Sequence, residues 1–486
     1  MIPEINTHLL ALQLMAAQGR LGAFDTLYHH ELTEALPGRA GAARELSIHA
    51  TRALIYSALF IGLAGWAFHG AWALLLLLVF AVEIVLTLWD FVVEDRSRLL
   101  PATERVTHTV LAMNGGAFIA LLALNTPAWL AQPSALVWQP HGALSVFLTL
   151  CGVGVGVSGV RDGIAARALT RLAPREAAAP LMDFGPGERS FLVTGATGFI
   201  GQRLVQALLR SGHRVTVLSR RPRQAAWLFD GRAECVASAA QLPPSRRFDI
   251  VINLAGARIL GWRWSSARKA ALLASRVATT RQLVDWIGRA AHKPALLLSA
   301  SATGYYGVQA RGDDAARNEE APPQDIFMSE LCRQWERAAR GAQQHGVTVA
   351  CMRFGMVLGR QGALPMLLLP VRLGLGGPLG GGAQWLPWIY VDDLIGAIAH
   401  LCRGGAGGAY NFTAPDSATQ AGFSRTAASV LRRPYGVPTP AWPLRLLLGE
   451  QADLLLEGQR AAPDRLAAGG FAFSYPSLEG ALRSLQ

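Results

Sequence analysis

Lysine is almost missing from this 486-residue chain: Lys269 and Lys293 are the only two among 45 basic residues. Nearly all positive charge is therefore arginine, and any chemistry that needs an ammonium group has two candidates. Cysteine is sparse as well. Cys151, Cys235, Cys332, Cys351 and Cys402 are odd in number, scattered, and lack the C-x-x-C spacing that holds zinc or a redox disulfide. They read as free thiols in a reducing compartment. No basic stripe interleaved with aromatic residues is present, so the excess of 45 basic over 33 acidic residues does not point to nucleic acid. The first 25 residues lack an uninterrupted apolar core beside a small-residue cleavage site. No cleaved signal peptide is expected, and the polar N-terminus is expected to stay inside the cell.

What is abundant is apolar surface, at 51% of residues. Four apolar runs, Ala53 to Phe68, Gly70 to Trp89, Thr109 to Leu124 and Gly142 to Val160, come close to the roughly 17 to 25 residues that cross a bilayer as helix. Buried helices of a soluble α-domain are the competing reading, because His69 and Glu83 interrupt the apolar character. The joining segments give an orientation. His69 and the stretch from Asn125 to His141 carry no Arg or Lys. By contrast, Arg39, Arg44 and Arg52 precede the first run, Arg96, Arg98 and Arg105 separate the second and third, and Arg161, Arg167 and Arg171 follow the fourth. Positive-inside bias then places both chain ends in the cytoplasm, with the protein multi-pass in the inner (cytoplasmic) membrane. This topology puts His49, Asp90, Glu94, Glu104 and His108 near the cytoplasmic ends of the spans, with Glu104 and His108 on one helical face. Carboxylate and imidazole from neighbouring helices can make a metal site. Interfacial capping and snorkelling is the plainer reading, and no metal is assigned. Glu83, inside the second span, needs a partner or a water cavity.

Residues 161–189 are rich in Ala, Arg, Pro and Gly without a sustained period and read as a linker after a membrane domain of residues 1–160. Beyond it, short β-branched runs alternate with helical ones: Phe191 to Thr194, Arg214 to Leu218, Ile250 to Leu254, Leu296 to Ser299 and Val347 to Arg353. That alternation predicts an α/β doubly wound parallel sheet of the Rossmann type over residues 190–435, with a small C-terminal domain at 436–486.

Within it, Phe191 to Gly201 reads as a strand, a turn with Gly195, Gly198 and Gly201, and the start of a helix closed by Gly212. Glycine suits such a turn because a Cβ would block the tight bend, the approach of backbone to a pyrophosphate, and close helix–strand packing. The helix N-terminus offers free N–H groups to phosphate. Gly195, Thr197, Gly198, Phe199, Ile200 and Gly201 are therefore candidate cofactor contacts, with Asn253, Leu254, Ala255, Gly256 and Ser299 from later strand ends. After the second strand the chain reads Ser219-Arg220-Arg221, where an acid would bind the ribose hydroxyl of NAD. A hydroxyl and two guanidiniums suit a 2′-phosphate instead, and the expected cofactor is NADP(H).

The glycine turn, Asn253-Leu254-Ala255-Gly256 and the run from Ser299 to Gly307 resemble extended short-chain dehydrogenases and sugar-nucleotide epimerases. More narrowly, Arg263-Trp264, Ser275-Arg276, Cys332, Trp335-Glu336, Arg353, Gly355, Pro387-Trp388 and Asp392-Asp393 are similar to YfcH-type epimerase-family proteins. The tail through Gly449-Glu450, Pro463, Arg465 and Phe473 resembles that family's C-terminal domain. The resemblance implies a cofactor fold with a substrate cleft built by the C-terminal third, and it places Ser301 where epimerases carry the serine or threonine that bonds the reacting oxygen. The usual Tyr-x-x-x-Lys pair is absent: Ser265 and Arg289 stand four residues before the two lysines. Two readings follow. Tyr305 or Tyr306 supplies a proton, making an NADP(H)-dependent oxidoreductase or epimerase acting on a small-molecule or lipid-linked substrate, or the domain binds NADP(H) without turnover and reports cofactor state to an envelope partner.

Overall fold

The computed structural model describes residues 6–33, 36, 42–97, 100, 102–178, 181–261, 263–404 and 406–485. They fall into two compact units, Met1–Ala179 and Pro180–Gln486.

The first unit is helical. Asn6 accepts from the Leu9 amide (2.9 Å) and caps α1 (Thr7–Phe24), and a π-helical stretch follows at Asp25–Thr33. Then come α2 (Ala43–Gly65), β1 (Trp66–His69), α3 (Ala71–Ser97), α4 (Ala102–Leu130), β2 (Ala135–Trp138) and α5 (Ala143–Ala178). Four of these helices, α2 to α5, are long and apolar enough to cross a membrane. Leu74, Leu78, Val85 and Leu88 of α3 and Val146, Leu150, Val153 and Val157 of α5 are exposed. Rows of that kind suit lipid rather than water.

Where helices meet, glycine lets them approach. A Cβ at Gly152, Gly156 or Gly159 of α5 would stand 2.7 Å from Ile61, 2.6 Å from the Ser57 hydroxyl or 2.9 Å from Ala53, all on α2. Two features were not expected from sequence. The helix α1 lies along α4, where Asn114 donates to the Leu14 carbonyl (2.9 Å) and to the Gln18 side chain (2.8 Å). The strands β1 and β2 pair antiparallel, from Trp66 opposite Trp138 to His69 opposite Ala135.

The partner that Glu83 requires is Arg52, whose guanidinium donates to Glu83 (3.2 Å) and to Asp90 (2.5 Å), while Thr87 also donates to Glu83 (2.7 Å). Arg52 therefore belongs to the bundle interior and not to the flanking charge on which the orientation argument drew. Arg39 and Arg98, also part of that argument, lie outside the described residues, as does the side chain of Arg96. Residues 161–178, read above as linker, continue α5 instead. Their Ala, Arg and Leu content favours helix more strongly than the prolines and the missing period suggested.

The second unit is the expected parallel sheet. Its strands are β3 (Ser190–Thr194), β4 (Arg214–Leu218), β5 (Glu234–Val236), β6 (Ile250–Asn253), β7 (Leu296–Ala302) and β8 (Thr348–Phe354), joined through α6 (Phe199–Arg210), α7 (Pro222–Leu228), α8 (Ser266–Arg289) and α9 (Phe327–Arg340). Then follow β9 (Met356–Leu358), α10 (Leu364–Arg372), β10 (Trp385–Leu386), β11 (Trp388–Tyr390), α11 (Val391–Gly404), β12 (Gly408–Phe412), β13 (Ala418–Thr419) and α12 (Gln420–Leu431). The seven-stranded sheet runs β5-β4-β3-β6-β7-β8-β12, all parallel, with order reversing between β3 and β6. Alternation along the strands supplies both cores. Phe191, Val193, Ile250 and Ile252 pack on one face with Leu204 and Leu208 of α6, while Leu192, Val251 and Leu297 pack on the other with Leu283 and Trp286 of α8.

The tail contributes α13 (Ala441–Leu448), α14 (Asp453–Leu456), α15 (Asp464–Ala468) and α16 (Leu478–Ser484). Polar contacts tie it to the sheet and to α11. Arg465 donates to the carbonyls of Gly407 and Ala409 (3.1 Å each), and Asp393 accepts from the amides of Ser474 (2.7 Å) and Tyr475 (2.9 Å).

Candidate functional site

Three turns meet at the carboxyl ends of β3, β4 and β6, beside the strand-order reversal where doubly wound sheets open a crevice. Gly195 has φ +68°, and a Cβ there would stand 2.4 Å from the Leu254 carbonyl oxygen. Two of the three turns are thus pressed together. A Cβ on Gly201 would meet the Gly195 carbonyl oxygen at 2.2 Å, which locks α6 against the turn. Gly198 differs. The nearest protein atom to a Cβ placed there is 3.4 Å away, so the fold itself would tolerate a side chain. Its glycine suits something outside the protein that approaches the backbone, and Gly198 caps α6 without a side-chain hydrogen bond. The amides of Phe199, Ile200 and Gly201 belong to the first helical turn, where no upstream carbonyl is available to them. The Phe199 ring points away from that turn, against Gly359 and Gly362, and Ile200 packs on the core, so both offer their backbone. Thr197 is exposed at the tip of the turn, where Gln202 donates to its carbonyl (2.8 Å).

After β4, the Arg221 amide donates to the Ser219 hydroxyl (3.2 Å). Both Arg220 and Arg221 are exposed, and among the described residues neither guanidinium has a hydrogen bond or ion pair. Two guanidiniums without internal partners stand where an acid would read a ribose.

Asn253 is buried and fully occupied. Its amide nitrogen donates to Thr280 (2.8 Å) and Ser299 (3.3 Å), and its carbonyl oxygen accepts from Thr194 (2.7 Å). Asn253 and Ser299 therefore brace the strand ends beneath Leu254, Ala255 and Gly256. Thr280 also accepts from the Trp335 indole (3.1 Å), extending this network to α9.

The catalytic candidates are held very differently from one another. Ser301 is 2% exposed and donates to Glu336 (2.9 Å). Arg353 grips the same carboxylate with two parallel bonds, Nε to Oε1 (2.8 Å) and Nη2 to Oε2 (3.0 Å). Tyr306 is 3% exposed, donates to Asn411 (2.6 Å) and accepts from Arg353 (3.0 Å). Burial pushes its phenol up to about 12, against the downward pull of Arg353. At pH 7 only roughly one molecule in 100,000 would carry the phenolate, which removes Tyr306 as a base. Tyr305 alone keeps part of its surface. Its ring lies on the Arg353 guanidinium (3.5 Å) and lines a cavity of about 250 Å³ with Pro323, Arg333, Arg337 and Arg340.

The two lysines are committed elsewhere. Lys269 pairs with Glu450, and Lys293 donates to the carbonyls of Ile287, Gly288 and Ala290 at the end of α8. Sequence reasoning passed over Glu336 as a functional group, although Trp335-Glu336 and Arg353 were among the residues carrying the resemblance. Their spacing in sequence gave no sign that they would meet.

Comparison with known proteins agrees with this architecture. Residues 191–412 match the model of the NAD dependent epimerase/dehydratase family, and residues 439–485 match a domain of unknown function, DUF1731. The epimerase family protein YfhF of Bacillus subtilis is 37% identical over 302 residues, covering 60% of this chain and 96% of the relative. The SDR39U1 homolog of Arabidopsis thaliana, described as chloroplastic, is 38% identical over 60% of this chain and 85% of its own length. The crystal structure of human epimerase family protein SDR39U1 with NADPH is similar at TM-score 0.55 and 36% identity, across 61% of this chain and 98% of that one. With a doubly wound sheet, a glycine turn at its switch point and relatives covered almost end to end, the chain belongs to the NAD dependent epimerase/dehydratase family.

Proposed function

We propose that this chain is a membrane-anchored NADP(H)-dependent oxidoreductase of the epimerase family, acting on a small-molecule or lipid-linked substrate, with its nucleotide unit in the cytoplasm. The observation that carries the cofactor choice is the exposed pair Arg220 and Arg221, without internal partners beside the second strand. The similar human protein, whose structure was determined with NADPH, supports the same choice. For the chemistry, Ser301 and Tyr306 are engaged in buried hydrogen bonds, which leaves the Tyr305 hydroxyl as the proton donor. A tyrosine without an ammonium group beside it serves better as donor than as base, so reduction by NADPH is favoured over alcohol oxidation. The test is titration of the detergent-purified chain with NADPH and NADH, followed by NADPH consumption across a panel of carbonyl substrates. Tighter NADPH binding with consumption lost in Tyr305→Phe is expected, and equal binding of the two cofactors refutes the reading.

A second reading has its own support in the same hydrogen bonds. With Ser301 and Tyr306 both engaged, the unit has the character of a binding module that reports cofactor state to an envelope partner. Tight NADPH binding without turnover of any carbonyl in the panel would select it.

A further inference from the structure

The membrane unit gathers more ionisable chemistry than α-helical packing requires. On α2, Glu45 and His49 are one helical turn apart, and on α4 Glu104 and His108 repeat that spacing, so each pair shares a face. Glu94 of α3 stands between them. Its Oε1 is 3.4 Å from His49 Nε2, and its Oε2 is 3.2 Å from His108 Nδ1. The two oxygens of one carboxylate thus face imidazoles from two different helices. The π-helical stretch adds a third imidazole: its wider turn sets His30 on the same face as Asp25, with His30 Nε2 3.5 Å and His108 Nε2 3.1 Å from Asp25 Oδ2. The donor atoms of Glu45, His49 and Glu94 lie within 4.8 Å of one another, and so do those of Glu94, Glu104 and His108, with Asp25, His30 and His108 forming a third such group on the other side of the His108 ring.

These spacings are those of a coordination sphere. Donors about 2.1 Å from one ion stand about 3.0 Å apart when cis and about 4.2 Å when trans. Burial points the same way: Glu45 and Glu94 are 1% exposed and Glu104 is fully enclosed, and carboxylates so placed require cationic compensation. An independent sign comes from His49. Its side chain is 9% exposed, its Nδ1 is buried without a hydrogen-bond partner, and its ring stacks on His30 at 4.5 Å inside the cluster. Asp90 borders this set, with its Oδ2 3.1 Å from His49 Nε2 and also held by Arg52, whereas Glu83 pairs with Arg52.

We propose that the membrane unit holds a two-ion carboxylate–histidine centre for divalent first-row transition metals, iron or manganese by its mixed nitrogen and oxygen donors. Glu94 bridges the two positions, one completed by Glu45 and His49, the other by Glu104 and the Nδ1 of His108, while Asp25 holds the far nitrogen of that ring. His49, Glu94, Glu104 and His108 thus take the metal-site alternative in place of interfacial capping and snorkelling. The centre is independent of whether the nucleotide unit turns over.

The experiment is elemental analysis of the full chain, purified in detergent from iron- and manganese-supplemented cells, together with direct titration of the chelator-treated protein with Mn²⁺ or anaerobic Fe²⁺. About two ions per chain are expected, falling to about one in His49→Ala and in His108→Ala and below about a tenth in Glu94→Ala. A His141→Ala control, outside the cluster, should keep both, and unchanged helical circular dichroism shows that the variants still fold. Should the variants unfold, titration of the wild-type chain decides alone. Less than about a tenth of an ion per chain in both wild-type measurements overturns the proposal and leaves a buried ion-pair network of protonated histidines. Full metal content in a folded Glu94→Ala variant overturns it equally.

Discussion

Glu336 shows how one side chain can decide what its neighbours are free to do. It accepts from Ser301, is gripped by Arg353 and also accepts from Arg340 (2.8 Å), so the serine that would bond a substrate oxygen is spent on the interior. Tyr306 and Tyr305 are adjacent in sequence and opposite in role. Tyr306→Phe strands the Asn411 oxygen and one N–H of Arg353 Nη1, which keeps its bond to the Glu319 carbonyl, and should cost about 1–3 kcal/mol in denaturant unfolding, whereas Tyr305→Phe should leave stability within about 0.5 kcal/mol. The raised Tyr306 phenol adds a sign test. A group protonated more tightly in the fold contributes stability in full below its unfolded value of 10.0, and loses it as pH rises through about 12. The wild-type chain should therefore lose stability over that window more steeply than Tyr306→Phe. At the cofactor, Arg220→Asp should erode the NADPH preference by roughly 1.5–3 kcal/mol in paired titrations, the worth of a charge-assisted hydrogen bond. An unchanged ratio would show that the 2′-phosphate is read elsewhere. Thiol reactivity follows the same logic of burial. Cys332, Cys351 and Cys402 are buried and held up at about 12, so maleimide at pH 8 should label no more than Cys151 and Cys235 in the native protein.

Among the elements, those built from local pattern were legible. The strands from Phe191 to Arg353, the Gly195 turn and the closing Gly212 could be read because alternation, glycine spacing and helix caps are properties of short segments. Elements that depend on distant partners were not. The two four-residue strands of the β1–β2 ribbon exist only because they find each other, and α1 carries no long apolar run to announce it. The same divide runs through the sites. The Gly195, Gly198 and Gly201 turn could be found in sequence, but the contact between Glu336 and Arg353 could not, nor the gathering of Asp25 and His30 with Glu94. Two substitutions probe the elements. Gly198→Ala should leave the fold intact, with its nearest protein neighbour at 3.4 Å, yet weaken cofactor binding at least tenfold, because the methyl group points where backbone and phosphate would meet. Gly156→Leu should separate α2 from α5 and lower the midpoint of thermal unfolding in detergent, since even a Cβ would stand 2.6 Å from Ser57.

At the scale of the whole molecule, each unit is explicable by its own physics: one buries apolar strands between helices, the other shows apolar helix faces outward. The proposed topology joins them through two cytoplasmic ends. Reporter fusions after Gln132 and after Arg171 should report opposite sides of the membrane, and agreement between them would sink the four-span arrangement. That arrangement gives the β1–β2 ribbon a further meaning. Its strands are separated by about 65 residues, so the ribbon closes a long loop, and nothing local can form it early. On a ribosome feeding the membrane, β1 emerges with the first helical hairpin and must wait, unpaired, until the second has crossed. In the proposed topology, the pairing of Trp66 with Trp138 is thus a latch that closes only when both helical hairpins are in place.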